Sequence, residues 1–270
     1  MKKYWIIGLI AGVSCGDAET GSHIGNPVSL AFTIFSALSS DSGETIIRDE
    51  KNTDYTLVAA KMYVSEIRLG LPTSVTCGSL DGASLVGATC GLNDDVPAQE
   101  EILVSGPFVV SLTEPATSPL ADVRVPSLAY TRVKYRIEVA DPEDGVVTAT
   151  DPLADLSFIV DATFLKENIS NTLHLALKLD QDIEIRNSTG IELGQNGGIS
   201  IKLDASNWLA NAGLGTCLED GSIVIENQEV TVDEDTECGD IENMLKLSIE
   251  SSAEVSESDT EDTSSLDEPG

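Results

Sequence analysis

Basic residues are scarce in this chain: 15 lysines and arginines stand against 46 aspartates and glutamates in 270 residues, a net charge of −31. A polyanion of this kind is repelled by nucleic acid and by anionic lipid, so nucleic-acid binding is excluded as a role. Histidine is scarcer still, with only His23 and His174, and no histidine-rich zinc set or serine–histidine pair of the usual kind is encoded. Aromatic residues make up 4%, and after Trp5 the only tryptophan is Trp208. There is no GxxxxGK[ST] loop, no GxGxxG following a strand, no HExxH and no CxxC. The single G-x-S-x-G match, at residues 12–16, lacks the strand-turn-helix context of a nucleophile elbow. No apolar run reaches the roughly 20 residues that span a bilayer.

The most specific feature present is at the start, MKKYWIIGLIAGVSC. Lys2 and Lys3 form a positive n-region, residues 4–11 a short apolar core, and Gly12, Val13 and Ser14 lead into Cys15, which is the build of a secretory signal. The segment resembles the signal of bacterial lipoproteins, in which cleavage before a cysteine leaves it lipidated as residue one, although Gly12 stands where that family usually carries a large aliphatic. Cysteine parity supports lipidation of Cys15: it removes one of five cysteines and leaves Cys77, Cys90, Cys217 and Cys238 to pair. Gly16 lacks the aspartate that marks inner-membrane retention in such lipoproteins, and the resemblance therefore implies the outer membrane. Ordinary signal cleavage, giving a secreted protein, is the competing reading.

The organisation that follows is a signal peptide (residues 1–14), a polar tether (15–26), a folded body (27–250), as one unit or two subdomains, and an acidic tail (251–270). The tail has no basic residue and almost nothing apolar, so it cannot offset its ordering entropy. In the body, alternation of period two dominates. Val28, Leu30, Phe32 and Ile34 share a face, and residues 55–71 read as a long central strand. Val133, Tyr135, Ile137 and Val139 oppose Arg132, Lys134, Arg136 and Glu138. Leu175, Leu177, Leu179, Ile183 and Ile185 oppose Lys178, Asp180, Asp182, Glu184 and Arg186. If these two segments are neighbours, ion pairs between their charged faces favour the pairing. Further strands are expected at residues 101–104, 108–112, 156–165, 198–203, 222–225 and 230–232. Asp204 is placed to cap a short helix over 205–211 that ends before Gly213, and Asp240 to cap another of a turn or two. The expected class is all-β, an antiparallel sandwich with Greek-key connections and one or two short helices.

Local pairing, Cys77 with Cys90 and Cys217 with Cys238, closes two loops of modest length. Calcium takes loop carboxylates and carbonyls, and its candidate ligands are Asp141, Asp144, Asp151, Asp155, Asp233 and Asp235. None of them fits the EF-hand pattern, and no cofactor is otherwise indicated. His174 reads as an exposed polar residue and Trp208 as a ring buried under the short helix.

VPSLAYTRVKYRIEV (125–139) and LALKLDQDIEI (175–185), together with the tether ending in Gly25-Asn26-Pro27, resemble uncharacterised bacterial envelope lipoproteins with immunoglobulin-like or transthyretin-like β domains. That resemblance implies an envelope location and a sandwich, and supplies no catalytic residues. The expected function is a non-catalytic, lipid-anchored envelope protein with an adhesive, structural or ligand-binding role, meeting the membrane through its anchor and a protein or glycan at the surface. Two other classes are compatible with the inventory: a secreted carboxylate-based hydrolase acting on glycans, and a calcium-stabilised binding module.

Overall fold

The computed structural model describes residues 27–38, 44–80, 85–93, 99–114, 119–191 and 198–258. The signal, Cys15, the tether up to Asn26 and residues 259–270 of the tail lie outside the described residues. Strands in chain order are β1 (Pro27–Phe35), β2 (Ile46–Arg48), β3 (Asp54–Gly70), β4 (Thr89–Leu92), β5 (Glu100–Ser111), β6 (Arg124–Pro126), β7 (Tyr130–Ile137), β8 (Phe158–Lys166), β9 (Ile169–Leu177), β10 (Gln181–Ile191), β11 (Gly198–Asp204), β12 (Glu229–Val232) and β13 (Ala253–Ser258). Two helices, α1 (Leu214–Asp220) and α2 (Ile241–Ser251), complete the regular elements.

The length of β3 organises the larger sheet. Its residues 55–62 pair with β8 and its residues 64–70 with β7, while β2 and β5 lie along the opposite edge. One strand therefore serves two half-sheets, β4-β5-β3-β7-β10 at its C-terminal end and β2-β3-β8-β9-β12 at its N-terminal end. A bulge between Val64 and Glu66 marks the junction on both edges. The second sheet, β13-β11-β1-β6, packs against the larger one. One contiguous cluster of buried side chains spans the two layers, including Phe32 of β1 edge-on to Tyr135 of β7 with ring centroids 5.1 Å apart.

The all-β sandwich is the architecture found, with mixed sheets in place of purely antiparallel ones. β1 runs parallel to β11, and β9 parallel to β12. Parallel neighbours need long crossovers, and both pairs join segments far apart in the chain, beyond the reach of local pattern reading. The segments predicted at 101–104 and 108–112 are one strand, β5. The apolar face predicted over 175–185 is split into β9 and β10 by residues 178–180, because the chain turns there to pair β10 with β7. Residues 222–225 form no strand; Ile223 is buried beside α1 while Val224 is 63% exposed, so the apolar run is a packed turn.

Helix α1 was not foreseen. The predicted helix over 205–211 is a short 3-10 turn (Ala205–Asn207), with Asp204 accepting from the amide of Ser206 as its cap. Gly213, expected just past that helix, instead has φ of 80° and opens α1. Gly215 lies so close to Lys51 and Asp49 that a Cβ would come within 2.7 Å of a carboxylate oxygen, which requires glycine where α1 meets the β2–β3 turn. The acidic tail also begins later than expected. Its first residues form β13, antiparallel to β11 over Gly198–Ser258 to Leu203–Ala253. Ladder hydrogen bonds hold these residues despite their polar composition, a contribution that composition alone does not reveal.

Tyr55, Tyr63, Tyr130 and Tyr135 are each at most 1% exposed. Burial raises all four phenols well above the ordinary value, and the Asp49 and Asp144 carboxylates add to this at Tyr55 and Tyr63. A raised acid pKa means that the folded protein keeps protons the unfolded chain loses above about pH 10, so stability falls as pH rises from there. In an alkaline titration of the signal-free protein followed by phenolate absorbance, no tyrosine should ionise near pH 10, and all four should ionise together with unfolding at higher pH. A separate phenol titrating near pH 10 in the folded protein would contradict this packing.

Candidate functional site

The structure brings Cys77 and Cys90 to disulfide distance, with Cα atoms 5.5 Å apart, and Cys217 and Cys238 likewise, at 6.1 Å. The first pair ties a 3-10 turn (Cys77–Ser79) to edge strand β4, and the second ties α1 to the loop before α2. Loops of this length contribute about 3 kcal/mol each in the chain-entropy picture. Cys15, the predicted lipidation site, lies outside the described residues.

The calcium candidates fall in two separate loops. Asp141, Asp144, Asp151 and Asp155 lie in the 138–157 excursion, which covers Tyr63 on the outer side of the sheet with Ala140, Val147 and Leu153. Asp233 and Asp235 lie between β12 and α2. Several of these carboxylates hold turns: Asp141 accepts from the amide of Glu143, Asp151 from that of Leu153 and Asp233 from that of Asp235, while Asp144 accepts the Tyr63 hydroxyl at 2.8 Å. Between the two loops stands Lys178, whose amine donates to Glu234 at 2.7 Å. That hydrogen bond, followed by the fields of Glu234, Asp155 and Asp235, raises its pKa. An ammonium group thus supplies the counter-charge at this point, and among the described residues no group of three or more acidic, histidine or cysteine side chains is arranged to hold a metal ion.

Among the described residues two carboxylates are buried, Asp49 at 4% and Glu101 at 3% exposure. Asp49 accepts from the amides of Lys51 and Thr53 and from the Tyr55 hydroxyl, each at 2.9 Å. Glu101 accepts from Arg68 at 2.9 Å and from Arg132 at 2.5 Å. The first carboxylate sits beside Tyr55 and the second is paired in register with Gly70, at opposite ends of β3. At up to about 3.3 Å per residue the strand between them spans at most about 50 Å, with bulges shortening it, whereas glycosidase carboxylates work about 5–10 Å from each other.

Around Glu101 the outer face of β5, β3, β7 and β10 is a lattice of ion pairs. The predicted neighbourhood of the two charged segments is real: β7 and β10 are antiparallel, Arg136 opposite Asp182 and Lys134 opposite Glu184. The shorter ion pairs run diagonally, Lys134 to Asp182 at 3.0 Å and Arg136 to Asp180 at 2.8 Å, with Arg132 to Glu184 at 3.7 Å, and Arg136 also reaches Asp182 directly opposite at 3.5 Å. Glu138 with Arg136, and Glu184 with Arg186, add closer pairs along each strand. Much of the chain's small stock of positive charge is used here to neutralise a sheet face.

The opposite half-sheet presents a different outer face. Thr56, Thr163 and Thr172 follow one another across β3, β8 and β9, and the next row holds Asp161 and His174, whose Nδ1 is 2.7 Å from the Asp161 carboxylate. His174 is thus half-exposed and paired with Asp161. At the end of this face a groove of about 470 Å³ opens between the β2–β3 turn (Asn52, Thr53, Asp54, Thr56) and the β8–β9 hairpin (Thr163, Phe164, Leu165, Ser170). A second hollow of about 250 Å³ shares Thr53, Phe164 and Leu165 with it and continues to Lys51, Gly215 and Glu219. Sequence reading missed this groove because its residues come from two hairpins more than a hundred residues apart. The available signal was that Thr163, Ser170 and Thr172 take outward positions in 161–174, where the outward positions of 132–138 and 182–186 are all charged.

Trp208 is fully buried, its ring edge-on to Phe158 at 5.5 Å. Among the described residues no helix is long and apolar enough to cross a membrane. Comparison of the chain with protein-family models, with curated proteins and with solved structures found no match.

Proposed function

We propose that this protein is a non-catalytic component of a bacterial cell envelope, anchored through lipid on Cys15 in the outer membrane, whose β-sandwich body serves adhesion or ligand binding. The observation that favours binding over hydrolysis is the placement of the two buried carboxylates. They are held by separate sets of donors at opposite ends of β3, and a two-carboxylate mechanism needs them across one bond. The anchor rests on the positive n-region, the short apolar core and the cysteine after small residues. The immunoglobulin-like or transthyretin-like kinship suggested by residues 125–139 and 175–185 belongs to the same proposal.

The test is fractionation of cells expressing the full chain and its Cys15→Ser variant, with metabolic labelling by a fatty acid. The parent should sediment with membranes and carry label, whereas the variant should be unlabelled and soluble. Equal membrane association of both would overturn the anchor.

A further inference from the structure

We propose that the groove between the β2–β3 turn and the β8–β9 hairpin binds neutral polyhydroxylated ligands, oligosaccharides in particular. This deepens the reading of the body as a binding module and rests on it. The lining is mainly hydroxyl and amide: Asn52, Thr53, Thr56, Thr163 and Ser170. Such groups donate and accept in the same small space, which matches a sugar, itself both donor and acceptor at every hydroxyl.

Charge selects against other ligands. The one carboxylate in the groove, Asp54, is clamped by the Arg48 guanidinium through two hydrogen bonds of 2.5 and 3.1 Å, so the wall is close to neutral. In the adjoining hollow Lys51 is paired with Glu219 at 2.7 Å, and Lys166 donates to the carbonyl of Leu218. The hollow carries as many carboxylates, Glu167 and Glu219, as ammonium groups, Lys51 and Lys166, so an anionic ligand gains no net attraction there and would approach a protein of net charge −31.

The geometry is preorganised as well. Thr56 and Thr163 are directly opposite in the β3–β8 register, so their hydroxyls are carried by paired strands, which hold a site more rigidly than loops do. Leu165, 65% exposed, stands at the lip common to both hollows and offers an apolar surface to the C–H face of a sugar ring. Phe164 is buried beneath, its ring against Tyr55 at 4.9 Å, and does not serve as a stacking platform. Binding without such a platform is weak, with Kd of about 1 mM, a strength suited to a protein displayed in many copies on a surface.

The experiment is an amide-resolved NMR titration of the whole protein with three neutral probes, cellotetraose, chitotriose and mannotriose, and with a galacturonate trimer as the anionic control. At about 10 mM, at least one neutral probe should shift Thr53, Thr163 and Ser170 saturably, and the galacturonate trimer should not. Thr56→Val with Thr163→Val should weaken that binding by about tenfold at an unchanged melting temperature; Ser170→Ala serves if the double variant is unstable. The proposal is overturned if no neutral probe shifts these residues, if the anionic trimer shifts them equally, or if the folded variants bind like the parent. Neither result depends on Cys15, so failure here and failure of the anchor are read separately.

Discussion

Replacing Glu101 by leucine should lower stability by about 3–5 kcal/mol, the cost typical of breaking a buried pair from one side. Glu101 accepts from two guanidiniums, Arg68 and Arg132, and both it and Arg132 are less than 5% exposed. Removing the carboxylate leaves Arg132 in a low-dielectric site with only the longer contact to Glu184, at 3.7 Å. Arg68 suffers less, because Glu66 still accepts from it at 2.8 Å. In urea denaturation the midpoint should fall without a change of slope, and the melting temperature should drop by about 10 °C for a body of this size. The partner change decides the mechanism: Glu101→Leu combined with Arg132→Met should recover more than half of the loss, since a buried pair replaced by apolar groups is often neutral. A single variant within about 1 kcal/mol of the parent would mean that Arg132 reaches water and the lattice is worth little.

Truncating Trp208 to alanine is the second large effect, about 3–5 kcal/mol. Its ring is fully buried where the 3-10 turn after β11 meets β8, in edge contact with Phe158. The cavity left behind would lie between the two sheet layers and the α1 region, with rigid strands on one side that cannot collapse into it. Trp208→Phe should cost less than half as much, because it keeps an aromatic edge against Phe158 and removes an indole N–H that has no hydrogen-bond partner in the structure. In the signal-free protein Trp208 is the sole tryptophan, so its emission should be blue-shifted and should move red in a single transition with unfolding. A cost for Trp208→Ala below about 1 kcal/mol would remove this residue from the core.

Strand alternation makes the outer and inner faces legible in the sequence. Val133, Tyr135 and Ile137 are buried and Lys134 and Arg136 lie outward, as period two requires. The β7–β10 pairing was also legible, because one charged face is mostly basic and the other mostly acidic. The burial of Trp208 followed from a large apolar ring beside a capped turn. Other features had no local signature. Parallel pairing of β1 with β11 and of β9 with β12 joins residues more than fifty positions apart, and nothing in either strand names its partner. β13 looks like disordered tail because its stabilisation comes from backbone hydrogen bonds to β11, to which side-chain composition is blind.

The candidate site divides in the same way. The acidic loops that read as calcium candidates lie on either side of Lys178, and three of the six candidate carboxylates, Asp141, Asp151 and Asp233, hold turns. The groove on the opposite half-sheet draws Asn52 and Thr56 from one hairpin and Thr163 and Ser170 from another, more than a hundred residues along the chain.

By itself the sequence determined an acidic, disulfide-paired β protein and the side of each strand that faces the core, since charge, parity and alternation are local or additive properties. Only the tertiary structure decided that β3 would carry two half-sheets, one faced with ion pairs and the other with hydroxyls, and that the two buried carboxylates would stand at its opposite ends. Distances between segments are set by packing and strand pairing summed over the whole chain, and no window of residues contains them.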